Sequence, residues 1–96
     1  MILKNANSSE TPQVIALKAL AFLAANEDHL DGFLASSGID LQDLKELAGD
    51  ETMLAGLLDH ILQNESLLLE FSQLIDYKPE MIVKARYALP GANHDA

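Results

Sequence analysis

Hydrophobic residues along this chain recur every three or four positions, in blocks separated by capping residues and glycines. That is the periodicity of helices that bury one face. Thr11-Pro12 opens the first block: the threonine offers a capping oxygen, and a first-turn proline lacks an N–H that would have no partner there. The pattern predicts a helix to about Ala25, with Leu17, Leu20, Leu23, Ala16 and Ala24 on one face and Ile15 with Phe22 on a second. A helix apolar on most sides belongs at the centre of a domain.

Four further blocks follow the same grammar. Asn26 caps a second helix, with Glu27 and Asp28 complementing its dipole, Leu30, Phe33 and Leu34 facing inward, and Gly38 as the left-handed stop. Asp40 caps a short third helix with Leu41, Leu44 and Leu47 at helical spacing, closed by Gly49. Asp50 caps a fourth with Met53, Leu54, Leu57, Leu58, Ile61 and Leu62 inward. Asn64 caps a fifth with Leu67, Leu68, Phe71, Leu74 and Ile75 toward the core. The last helix starts at Pro79, aligns Met81, Ile82, Ala85, Ala88 and Leu89, and stops before Pro90-Gly91.

The expected fold class is therefore all-α: a compact multi-helical domain of five to six short helices with steep crossings, since the helices are too short for a long parallel bundle. Residues 11–90 form the single domain, flanked by a flexible N-terminal segment (1–10) and a flexible tail (91–96). Composition agrees with the class. Leucine and alanine outnumber valine and isoleucine nearly four to one, and β-branched residues are the ones that favour strands.

Charge and cysteine content narrow the function. A net charge of −9 repels the phosphates of nucleic acids and anionic membrane surfaces alike, so neither is expected as a partner. With no cysteine there is no disulfide, thiolate nucleophile, Cys-based zinc site or iron–sulfur cluster. The longest apolar stretch, Val14 to Ala25, would span about 18 Å as a helix, short of the ~30 Å hydrocarbon core. Glu10 before that run, Lys18 within it and the small triplet Ala19-Leu20-Ala21 in its middle argue against a secretory leader. A cytoplasmic location is expected.

The segments Ser36-Ser37-Gly38-Ile39-Asp40-Leu41-Gln42-Asp43-Leu44, Leu57-Leu58-Asp59-His60-Ile61-Leu62, Asn64-Glu65-Ser66-Leu67-Leu68-Leu69 and Ala85-Arg86-Tyr87-Ala88-Leu89-Pro90-Gly91 follow one another in a fixed order and spacing. In this the chain resembles a small family of alphaproteobacterial proteins designated only as a domain of unknown function, over about Val14 to Gly91. The resemblance implies a small cytoplasmic helical protein and no catalytic residues. Asp43-Leu44-Lys45-Glu46-Leu47 also resembles part of the sterile alpha motif, an interaction module. The chain departs from that pattern in having no early tryptophan and two further helices.

Reactive constellations are sparse. Asp28, His29 and Asp31 lie together, and Asp59-His60 stands one turn from Asn64, but neither group has two histidines at i, i+4 spacing. The twelve residues Asp40 to Glu51 fail as a calcium loop, with Leu44 at the fifth position and Lys45 where a glycine is needed. Neither a nucleophile elbow nor a glycine-rich phosphate loop occurs. No cofactor or metal is expected, and no catalytic residue is assigned. The competing reading is a small enzyme or metal-dependent protein using Asp59, His60 and Glu70 on facing helices.

Charge asymmetry is more informative. Glu27 to Glu70 carries eleven acids and one base, Lys45, whereas Lys78 to Leu89 carries Lys78, Lys84 and Arg86 against Glu80. The ordinary explanation is local pairing of the last helix with acidic neighbours; the functional one is steering of a protein partner or a second copy of the chain. Val83 and Tyr87 stand one turn apart, opposite Ala85, either covered by a neighbouring helix or open as an interface. Leu69, opposite Phe71, is expected to be covered. The function expected is a non-catalytic protein–protein interaction module with Val83, Arg86 and Tyr87 as its contact face. In that face Arg86 donates charge-assisted hydrogen bonds and Tyr87 buries its ring.

Overall fold

The computed structural model describes residues 10–91, and these form six α-helices and no strand: α1 (Pro12–Ala24), α2 (Glu27–Ser37), α3 (Leu41–Glu46), α4 (Glu51–Leu62), α5 (Glu65–Ile75) and α6 (Pro79–Tyr87). The expected flexible segments fall, but for Glu10 and Gly91, outside the described residues.

Five of the six starts are fixed by the side chain that precedes them. The Thr11 hydroxyl accepts from Val14 N (3.2 Å), Asn26 from Asp28 N (2.9 Å) and His29 N (3.3 Å), and Asp40 from Asp43 N (2.9 Å). Asp50 accepts from Met53 N (3.1 Å) and Asn64 from Leu67 N (3.2 Å). Each satisfies an N–H that the helix itself cannot pair, a contribution of about 1 kcal/mol apiece. The sixth start uses Pro79 instead, with no capping side chain at Lys78. Gly38 ends α2 at φ 75°, a conformation that costs a glycine nothing and most residues 1–2 kcal/mol or so. Asp76 takes the same role for α5 at φ 60°.

The core is organised around α1 and α4, which pack against each other and each touch α2, α5 and α6. From α1 come Ile15, Ala16, Ala19 and Leu23; from α4 come Met53, Leu54, Ala55, Leu57, Leu58 and Ile61. Phe33, Leu44, Leu67, Phe71, Ile82, Ala85 and Leu89 close the cluster. The small residues Ala16 and Ala19, both wholly buried, are what let α1 lie close against its neighbours. Gln13 reinforces the α1–α4 contact by donating to Glu51 Oε2 at 2.7 Å.

Several faces differ from expectation. On α1, Leu17 and Ala24, expected on the inward face, are exposed, because an all-round apolar helix has no stripe that periodicity alone can single out. On α3 only Leu44 is buried; the helix has few neighbours to cover Leu41 and Leu47, which stay exposed. On α5, Leu74 is 66% exposed and Leu69 is also exposed, while Ser72 is buried and donates to the carbonyl of Leu69 at 3.1 Å. The expectation that a neighbour covers Leu69 is thereby corrected.

Candidate functional site

Among the expected contact residues, α6 separates two kinds. Val83 is 40% exposed and Tyr87 53%, one turn apart on the outer side of the helix, whereas Arg86 is 8% exposed. The reason is geometric. Arg86 lies four residues after Ile82 and three before Leu89, both buried, so it sits on the core stripe and not beside Val83. Its Nε donates to Asp59 Oδ1 at 2.5 Å and its Nη2 to Asp59 Oδ2 at 3.1 Å. The remaining nitrogen, Nη1, donates to the carbonyls of Pro90 (3.0 Å) and Leu89 (3.4 Å). A bidentate guanidinium so engaged has its donors committed inside the molecule. Arg86 is thus buried and paired within the chain, unlike Val83 and Tyr87: it clamps α6 and the turn after it to the last turn of α4.

The same pairing engages one member of the competing acid–histidine arrangement. Asp59 is taken by Arg86, Glu70 accepts from or faces His29 Nε2 at 3.2 Å, and His60 Nδ1 lies 3.2 Å from the Ser36 hydroxyl. Among the described residues no hydrogen bond joins Asp59, His60 and Glu70 to one another, and no three His, Asp or Glu side chains are grouped to hold a metal ion. His29 and His60 line one shallow trough of about 230 Å³ with Asp28, Asn64 and Glu70. Burial, and then the neighbouring His29, lowers the His60 pKa below the usual imidazole value, which favours the neutral ring near pH 7. Each imidazole also rests on an aromatic ring, His29 on Phe22 and His60 edge-on to Phe33. These histidines therefore each pack on an aromatic side chain of the domain.

A second polar knot joins the two ends of the domain. Glu10, assigned from the sequence to the terminal segment, accepts from Lys18 Nζ at 2.6 Å and from the Tyr77 hydroxyl at 2.8 Å. The bonds from Lys18 and then Tyr77 hold the Glu10 carboxyl below its usual range. Desolvation first, and the Glu10 carboxylate second, push the Tyr77 phenol up to about 12. Glu10 and Tyr77 flank an open hollow of about 270 Å³ with Pro12, Ile15, Met81 and Lys84. The carboxylate is consumed in tying α1 to the α5–α6 turn.

A more apolar depression lies elsewhere, where the end of α2, the residues flanking α3 and the first half of α4 meet. Phe33, Ile39, Leu47, Met53 and Gly56 line a groove of about 270 Å³, with Asp50 and Thr52 at its edge. It continues through Phe33, Ser37 and Gly56 into a polar hollow beside Asp59 and His60. The sequence reading missed this groove because its walls come from three separate segments. One local sign was present, a glycine in the middle of a leucine-rich helix.

No helix among the described residues is long and apolar enough to cross a membrane. Neither a curated protein nor a solved structure matches the chain. Residues 9–92, which include the Asp59–Arg86 clamp and the groove, match the family described as "Protein of unknown function (DUF3572)", and the chain belongs to that family.

Proposed function

We propose that this chain is a non-catalytic protein-interaction module of an alphaproteobacterial cytoplasm, a setting carried by the resemblance of its leucine-rich segments. Its partner is another protein or a second copy of itself, met through Val83 and Tyr87. The observation that carries the reading is a contrast in how side chains are employed. The acids and histidines best suited to chemistry are spent on internal pairs, while large apolar side chains, Val83 and Tyr87 among them, stand at the surface. Aromatic and aliphatic groups one helical turn apart make an anchor whose energy comes from burial in a partner. Arg86 enters as a positioning residue, since its clamp to Asp59 sets the angle at which α6 presents that pair.

The test compares capture from a cell lysate by the native chain and by a Val83→Asp/Tyr87→Asp variant whose helix content is verified by circular dichroism. A protein retained only by the native chain supports the reading and the face. Equal retention keeps the module and moves its face; no specific retention by either overturns it. Light scattering separates self-association, which gives a mass near twice 10.4 kDa, from binding of a different protein.

A further inference from the structure

We infer that the groove between α2, α4 and the residues flanking α3 is a docking site for a basic amphipathic helix of another protein. The inference rests on the interaction-module reading but concerns a surface separate from Val83 and Tyr87.

Three observations converge on it. The first is shape and chemistry: Phe33, Ile39, Leu47 and Met53 present an apolar floor with Leu47 itself nearly half-exposed, room for one or two aliphatic side chains. The second is Gly56. It lies in the interior of α4, where glycine is a much poorer helix former than alanine. Yet a Cβ built there meets no atom within 4 Å, so among the described residues none excludes a methyl group at this position. It opens on the groove, where absence of a side chain lets a foreign backbone approach the helix closely.

The third observation is charge. Asp50 lines the groove, and Asp40, Asp43 and Glu46 lie in the stretch between its lining residues Ile39 and Leu47; all four are exposed, and Lys45 is the one base in that stretch. Asp40 and Asp50 are used as caps, which leaves their charge in place. A ligand with apolar residues on one side and lysine or arginine on the flanks satisfies both floor and rim. A helix suits this better than an extended strand. Its backbone groups are paired internally, whereas a strand needs a sheet edge, and the described residues contain no strand.

The experiment uses the full chain and a synthetic, end-blocked probe of about five helical turns. The probe is built of leucine and lysine, with leucines at i, i+3, i+4 and i+7; a twin carries glutamate for lysine. Binding is mapped by amide chemical-shift changes at about 0.15 M salt, where charge attraction without apolar burial is largely screened. The expected result is saturable binding of the lysine probe, with shifts centred on Ile39, Leu47, Met53 and Gly56, and none for the twin. Gly56→Ala should melt about 4–8 °C higher yet bind more weakly, and Gly56→Gln should lose about tenfold or more in affinity. Because both substitutions favour the helix, weaker binding does not come from unfolding.

Shifts spread over the acidic surface, or affinity unaffected by Gly56→Gln, overturn the proposal. Binding that maps to α6 and disappears in Val83→Asp/Tyr87→Asp overturns the groove while upholding the module. Absence of any binding overturns the groove and leaves the module to be decided by the capture comparison.

Discussion

Helices α3 and α4 follow one another in the chain, both open on an aspartate cap and both are rich in leucine, yet they end in different environments. From α4, Met53, Leu54, Ala55, Leu57, Leu58 and Ile61 are buried; from α3, Leu44 alone. The difference is one of length and neighbours. Twelve residues give α4 more than three turns, enough to touch α1, α2, α5 and α6 together. The six of α3 make fewer than two turns, and the helix has only marginal contact with the others. Leucine content marks which residues can enter a core; the number of walls around a helix decides which do.

The comparison breaks most readily at Leu57, wholly buried at the centre of α4. Leu57→Ala should cost about 3–4 kcal/mol of unfolding free energy, from lost burial plus the cavity left between α1 and α4. Urea denaturation measures it. A loss under about 1.5 kcal/mol would mean that the site collapses easily and that α4 is no more central than α3.

The polar end of α4 sharpens the contrast at a smaller magnitude. Asp59→Ala leaves the buried Arg86 guanidinium with only the Leu89 and Pro90 carbonyls to receive its donors. The Asp59 side chain is 42% exposed, so water can reach the vacated place and the loss should be about 2 kcal/mol, below that of a fully buried pair. Arg86→Met is expected to cost less, because it keeps much of the apolar stem and leaves an aspartate that water solvates. A denaturation series that reverses this order would show that the clamp works by the arginine's packing and not by its charge.

How much of this could be read from the chain divides along the same line. Local chemistry was legible: Thr11, Asn26, Asp40, Asp50 and Asn64 are the observed caps, Pro79 the observed first-turn proline, and Gly38 the observed left-handed stop. These interactions span two or three residues, and sequence contains them whole. Faces were less legible wherever apolar residues ring the helix. On α1, Val14 and Leu17 stay outside while Ala16 and Ala19 go in, a choice made by how closely neighbouring helices approach. Arg86 was expected beside Val83 and Tyr87 although its spacing from Ile82 and Leu89 put it on the buried stripe; its charge argued for solvent, and the pairing with Asp59, distant in sequence, accompanies its burial. Of the groove only Gly56 gave a local sign, since Phe33, Leu47 and Gly56 meet only after the chain has turned twice.

The smallest effect is expected where the comparison is most exposed to refutation. Leu47 caps the end of α3, and its side chain is nearly half-exposed at the groove. Leu47→Gln exchanges an aliphatic group for a polar one of similar length at a position that already meets water, so its stability change should lie within about 0.5 kcal/mol. The neighbouring Leu44, buried in the cluster, provides the internal control: Leu44→Gln places an amide among apolar groups and should cost several times as much. If Leu47→Gln costs as much as Leu44→Gln, the α3 leucines share one burial environment in solution, and the open groove loses its rim. If it costs almost nothing, the chain retains Leu47 for a reason other than its own folding, and α3 differs from α4 in purpose as well as in depth.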